Sequence, residues 1–138
     1  MPCDGNYLAV FPSRWAALFA LQAAVSVMAG AFGAHALTDV FDIKSLGWWD
    51  TASQYLMYHS LAGLIVTALS SYIPSVMSLL ILFFAGNVIF AGSLYIMALT
   101  GYTFLGAITP LGGVCYLLAW SGLAIRLWRF KKVNNSQN

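Results

Sequence analysis

The chain has 138 residues, 61% of them hydrophobic and 7% charged, with a net charge of +2, whereas an ordinary soluble domain carries about 25% charged residues. Six Lys and Arg and four Asp, with no Glu, cannot coat a water-soluble fold of this size. Most of the surface is therefore expected to face lipid, and so small a charge, concentrated at one end, excludes nucleic acid as a partner.

A short segment, residues 1–14, precedes four apolar runs, each near the ~20 residues that cross a ~30 Å hydrocarbon core. The first run, Trp15 to Leu37, is free of charge and rich in Ala. A polar connection follows, Thr38 to Thr51, with Asp39, Asp42, Lys44, Asp50 and a Gly47-Trp48-Trp49 turn. The second run, Ala52 to Tyr72, is polar in its first half and is the weakest of the four; Pro74 ends it, lacking an N–H and crowding the preceding turn. Val76 to Leu99 forms the third span, Thr100-Gly101-Tyr102-Thr103 interrupts the pattern, and Leu105 to Ile125 forms the fourth. A basic stretch, Arg126 to Lys132, leads into a polar tail, Val133 to Asn138, expected to be disordered. The four-helix domain spans 15–128, and 129–138 is the tail.

These elements predict an all-α integral membrane four-helix bundle. Short loops rich in Lys and Arg stay cytoplasmic. With both termini inside, Arg14, Arg126, Arg129, Lys131 and Lys132 are cytoplasmic and only Lys44 is outside. Trp15 and Trp128 then anchor one interface and Trp48, Trp49 and Tyr102 the other. Arg14, the first apolar run and Ala34-His35-Ala36 also resemble a signal peptide, but the run exceeds the ~7–15 residues of an h-region. Cys3 and Cys115 lie at different depths, so no disulfide is expected.

Helices associate in lipid through small residues that permit close approach. Ala16, Ala20, Ala23, Val27, Gly30 and Ala34 form one smooth stripe on the first span, with Gly33 nearby; Gly86 and Gly92 on the third span and Gly112, Gly113 and Gly122 on the fourth offer similar contacts. No strand, loop and helix surround these glycines as a phosphate cradle requires.

Strongly polar side chains inside a membrane are costly and so mark candidate sites. His35, Gln54, Tyr55, Tyr58, His59 and Asn87 qualify, with Asp39 and Asp50 at the outer rim. His35 and His59 lie in the outer halves of two antiparallel spans, and both could face an outward-opening polar cavity with Gln54, Tyr55, Tyr58 and Asp50. At 1.5 Å per residue, His59 sits about 12 Å below Thr51 and His35 about 3 Å below Leu37, so contact requires a tilt or a shifted helix start. Three readings stay open. Each histidine is satisfied locally within the bundle, or the pair forms a proton, metal or small-ligand site, or both ligate haem. Two histidines fall short of the three or four ligands of a zinc site, and no cofactor is expected. Asn87 is expected to make an interhelical hydrogen bond.

Gly30-Ala31-Phe32-Gly33-Ala34-His35-Ala36-Leu37, Thr51 with Gln54-Tyr55 and Tyr58-His59, Gly92-Ser93-Leu94-Tyr95 and Thr109-Pro110-Leu111-Gly112-Gly113 together resemble the YgdD-like small membrane proteins. That family is catalogued as a domain of unknown function and has relatives in mitochondria. The resemblance covers roughly Ala16 to Ile125 and implies four helices, with no activity or catalytic residue to carry over.

No Gly-x-Ser-x-Gly, His-Glu-x-x-His or P-loop occurs, so an enzyme is not expected. The reading favoured is an accessory, assembly or stabilising subunit that packs against other membrane proteins or itself, within the bilayer of a bacterial cytoplasmic (inner) membrane. The alternative is a binding or transport protein with its polar site between the outer halves of the first two spans.

Overall fold

A computed structural model describes residues 12–73 and 75–135, with side chains as far as Arg129, and every regular element among them is helical. In chain order these are α1 (Ser13–His35), α2 (Ile43–Ala68), α3 (Val76–Gly86), a π-helical turn (Asn87–Ala91), α4 (Gly92–Thr100), a 3-10 turn (Thr103–Ala107) and α5 (Thr109–Asn135). The N-terminal segment with Cys3, the break at Pro74 and the end of the tail lie outside the described residues. Among the described residues three stretches are long and apolar enough to cross a membrane: Ser13–His35, Val76–Thr100 and Thr103–Arg129. α2 is not among them.

The omission of α2 has a physical cause. Ser53, His59, Ser60 and Thr67 lower its hydropathy, yet all four are buried, because α2 packs against α1, α3, the π turn and α4. A helix enclosed by other helices can carry polar side chains wherever they find partners inside. α5 closes the opposite side, against α3 and the π turn. Contacts run antiparallel between successive elements: Ser26 meets Ser53 and Phe19 meets Gly63; Ser53 meets Tyr95 and Ser60 meets Asn87; Ser93 meets Thr109 and Ser78 meets Arg126. Two apolar clusters result. One holds Phe19, Val66, Leu80, Phe83 and Leu123, and the other Ala52, Leu56, Ala91, Leu94 and Met97.

Several boundaries differ from those expected. α2 begins at Ile43, so the first connection is short and Gly47-Trp48-Trp49 is helix instead of turn. The signal for this start is Asp42, whose carboxylate accepts from the Ser45 N–H at 2.7 Å and caps the first turn. Trp49, expected as a headgroup anchor, turns inward: its indole N–H donates to Ala29 O at 2.7 Å and its ring meets Tyr95 at 4.7 Å. α5 runs on to Asn135, carrying the basic stretch and the first tail residues as helix. α4 ends at Gly101, whose φ of 73° is the left-handed cap that glycine adopts without strain.

The close contacts also differ from the predicted stripe. α1 meets α2 through Phe19, Ser26 and Gly33, which are buried, while Ala20, Val27 and Ala34 are exposed. A Cβ on Gly33 would stand 2.8 Å from the Trp49 ring, and one on Gly112 only 2.5 Å from the Phe90 backbone nitrogen. Gly63 and Gly86 accept the rings of Phe19 and Tyr116 just as closely. Gly30, Gly92 and Gly113 face open space.

Gly112→Ala is therefore expected to destabilise the protein by about 1–3 kcal/mol, because the obstacle is backbone that cannot rotate away. Gly113→Ala should leave stability unchanged or raise it by up to about 1 kcal/mol, since Ala is the better helix former. Reversible unfolding in mixed detergent micelles measures both.

Hydrogen bonds from Ser45, its backbone N–H foremost, hold the Asp42 carboxyl below its usual pKa, with a smaller contribution from Lys44. A depressed folded pKa means that the cap stabilises the helix above the ordinary carboxylate range and is lost as pH falls through the folded value. Protection factors for the amides of residues 43–47, corrected for the pH dependence of intrinsic exchange, should fall on acidification in the wild type. They should already be low at neutral pH in Asp42→Ala.

Candidate functional site

The polar groups that the fold gathers lie at mid-height, where α1, α2, the π turn and α5 converge. Asn87 is the hub, and it is 2% exposed. Its amide Nδ2 donates to Gln22 Oε1 at 2.9 Å and to Ser60 Oγ at 3.3 Å, and its Oδ1 accepts from the Tyr116 hydroxyl at 2.9 Å. Ser60 in turn donates to Leu56 O at 2.6 Å. One side chain thus ties the third helical run to α1, α2 and α5. The π turn begins at Asn87, and such turns often occur at functional positions. It also brings the Phe90 backbone against α5, where Gly112 leaves room.

His59 lies beside this hub. Its Nδ1 pairs with Tyr55 O at 2.8 Å, and its ring stacks on Tyr116 with centroids 3.4 Å apart and planes 10° from parallel. Phe83 and Trp120 complete the surroundings at 6.1 and 6.3 Å. Tyr55 stacks on Phe90 at 4.7 Å and is half-exposed.

His35 is elsewhere. It is exposed at the C-terminal end of α1, where its carbonyl accepts from the Thr38 hydroxyl at 3.1 Å and it lines a shallow hollow with Ala31, Phe32 and Ala36. The antiparallel register places His59 near the level of Gln22, thirteen residues from His35 along α1, or roughly 20 Å. The pairing of Ser26 with Ser53 and of Phe19 with Gly63 shows this register, and the two histidines do not share a cavity. Gln54 and Tyr58 point outward, and Asp50 is exposed near Gly33. Of the six residues expected to form one site, Tyr55 pairs with both His59 and Tyr58, at 5.7 and 6.4 Å between ring centroids, and His35 joins none of them. Among the described residues no group of three or more His, Cys, Asp or Glu could hold a metal ion.

Sequence reasoning selected Asn87 and His59 but missed Gln22, Ser60 and Tyr116. A signal existed for Gln22: it is the strongest hydrogen-bonding side chain in an otherwise apolar run and sits near the middle of α1, as Asn87 does in its own run. Ser60 and Tyr116 carry no such signal, because Ser and Tyr are common on helices that bury nothing polar.

The network predicts a graded response. Tyr116→Phe leaves Asn87 Oδ1 without its donor and should cost about 0.5–1.5 kcal/mol, the scale of single interhelical hydrogen bonds in membranes. Asn87→Ala leaves Gln22, Ser60 and Tyr116 without their shared partner and opens a void, so about 2–3 kcal/mol is expected. The double variant should cost little more than Asn87→Ala alone, and a thermodynamic cycle of micellar unfolding measures that non-additivity.

Comparison with known proteins adds a family. Residues 29–113 match the family described as protein of unknown function (DUF423). The chain is 47% identical to the UPF0382 membrane protein YwdK of Bacillus subtilis over 106 residues, which cover 75% of this chain and 86% of that protein. It is 46% identical over 116 residues to a UPF0382 membrane protein of Staphylococcus epidermidis, covering 82% of this chain and 93% of the relative. A UPF0382 membrane protein of Haemophilus influenzae is 34% identical over 123 residues, or 88% and 98% of the two chains. No solved structure matches.

Proposed function

This chain belongs to the DUF423 family, whose relatives named above are membrane proteins, and we propose that it is a non-enzymatic accessory or assembly subunit of a bacterial cytoplasmic membrane. In this reading α2 is a fourth span, sheltered by the other three, and both termini face the cytoplasm with Arg14, Arg126 and Arg129.

One observation carries the reading: α1 packs extensively on α2 alone and leaves its small-residue stripe partly uncovered, with Ala16, Ala23 and Gly30 half-buried. Ala20, Val27 and Ala34 are exposed, and a side chain added at Gly30 would meet nothing within 4 Å. In lipid a smooth helical face lets a second helix approach closely. The interior supports the same reading, because Asn87 spends its hydrogen bonds on helix-to-helix contacts and His59 is stacked among aromatic rings.

Replacing Gly30 or Ala34 with Leu is expected to leave micellar unfolding unchanged while dissociating the complex purified in mild detergent. His35→Ala should alter neither. Native mass spectrometry of the tagged protein from its own membrane reads both mass and stoichiometry; a complex that survives Gly30→Leu and Ala34→Leu intact would overturn the assignment of this face.

A further inference from the structure

α1 leans on α2 and diverges from the third helical run, and a groove of about 330 Å3 opens between them. Leu56 of α2 lines it from beneath, Leu21 and Val25 from α1, and Val88, Ala91, Gly92 and Tyr95 from the opposite side. Leu21, Val25 and Val88 are 62%, 40% and 55% exposed, so the groove opens sideways onto the apolar outer surface.

Two amides line this space. Asn87 is spent, with its N–H pair on Gln22 and Ser60 and its oxygen under Tyr116. Gln22 is not. Asn87 holds its Oε1, and among the described residues its Nε2 has no acceptor. An N–H without an acceptor is costly in hydrocarbon. A donor held in place by its own oxygen, beside an open apolar groove, is the usual make-up of a small-molecule site: mostly apolar walls with a few oriented polar groups.

We infer that this groove binds an uncharged, lipid-soluble molecule whose carbonyl or hydroxyl oxygen accepts from Gln22 Nε2 while its hydrocarbon body lies against Leu21, Val25 and Val88. The occupant is uncharged because no Asp, Lys, Arg or His lines the groove. It is a small molecule because a helix about 10–12 Å across with its side chains needs far more room than this. A quinone ring and a neutral lipid both offer the required oxygen. The site depends only on the geometry of α1, α2, the π turn and α4, so it stands or falls separately from the accessory reading.

The full-length protein in phosphatidylcholine nanodiscs tests this by photolabelling with a diazirine-bearing alkyl ketone and mapping the labelled peptides. The result expected is labelling concentrated on residues 21–25 and 88–95, reduced at least fivefold by excess decylubiquinone or dodecanol but not by dodecane. Whichever of the two competes at the lower concentration identifies the source as quinone or neutral lipid. Gln22→Leu should lower the labelling at least fivefold. Gly92→Leu, which fills the groove where an added Cβ meets nothing within 4 Å, should do the same with unfolding unchanged. Labelling spread evenly over the outer surface, or undiminished in Gly92→Leu, would overturn the site. So would cross-linked pairs joined through residues 21–25, which would give the groove to a second copy of the chain.

Discussion

The arrangement depends on one amide. Asn87 stands where the third helical run changes from α to π geometry, and through Gln22, Ser60 and Tyr116 it reaches α1, α2 and α5. Between apolar helices in lipid no hydrophobic force favours one rotation over another, because the lipid tails are as apolar as Leu. A buried amide breaks that degeneracy. In the observed rotations Gln22, Ser60 and Tyr116 meet it together. The close glycine contacts at Gly63, Gly86 and Gly112 are compatible with those rotations and set the distances.

The same constraint accounts for α2. A helix carrying Ser53, His59, Ser60 and Thr67 is a poor lipid-facing span, yet each of these side chains is buried and bonded here. Its polarity is the complement of its central position. His59 illustrates the point: between the Tyr55 carbonyl and the Tyr116 ring it is held as part of the packing. His35, at the exposed end of α1, is a separate surface residue.

α1 is, with α5, one of the two least enclosed helices. Asn87 reaches it through Gln22, Trp49 through Ala29 O and Gly63 through Phe19, all along one side. Its remaining surface carries both the small-residue stripe and one wall of the groove beside Gln22. The two proposals therefore concern different faces of one helix, and a partner on the stripe leaves the groove free for a small ligand.

Composition and the spacing of apolar runs were enough to place this chain in a membrane and to give it helices near the right positions, because a bilayer selects on length and hydrophobicity, both linear properties of a sequence. Asn87 stood out for the same reason: an amide in an apolar run needs a partner. Which partner it takes depends on helix register, and that is decided between helices: Ser26 meets Ser53 and Phe19 meets Gly63, which sets His59 near the level of Gln22 and away from His35. The glycines divide similarly. Sequence marks them all as small, but only the crossing points decide that Gly33 and Gly112 sit in contacts while Gly30, Gly92 and Gly113 face open space. Hydrophobic length is written along the chain, whereas rotation and register arise only when several helices satisfy one another's polar groups at once.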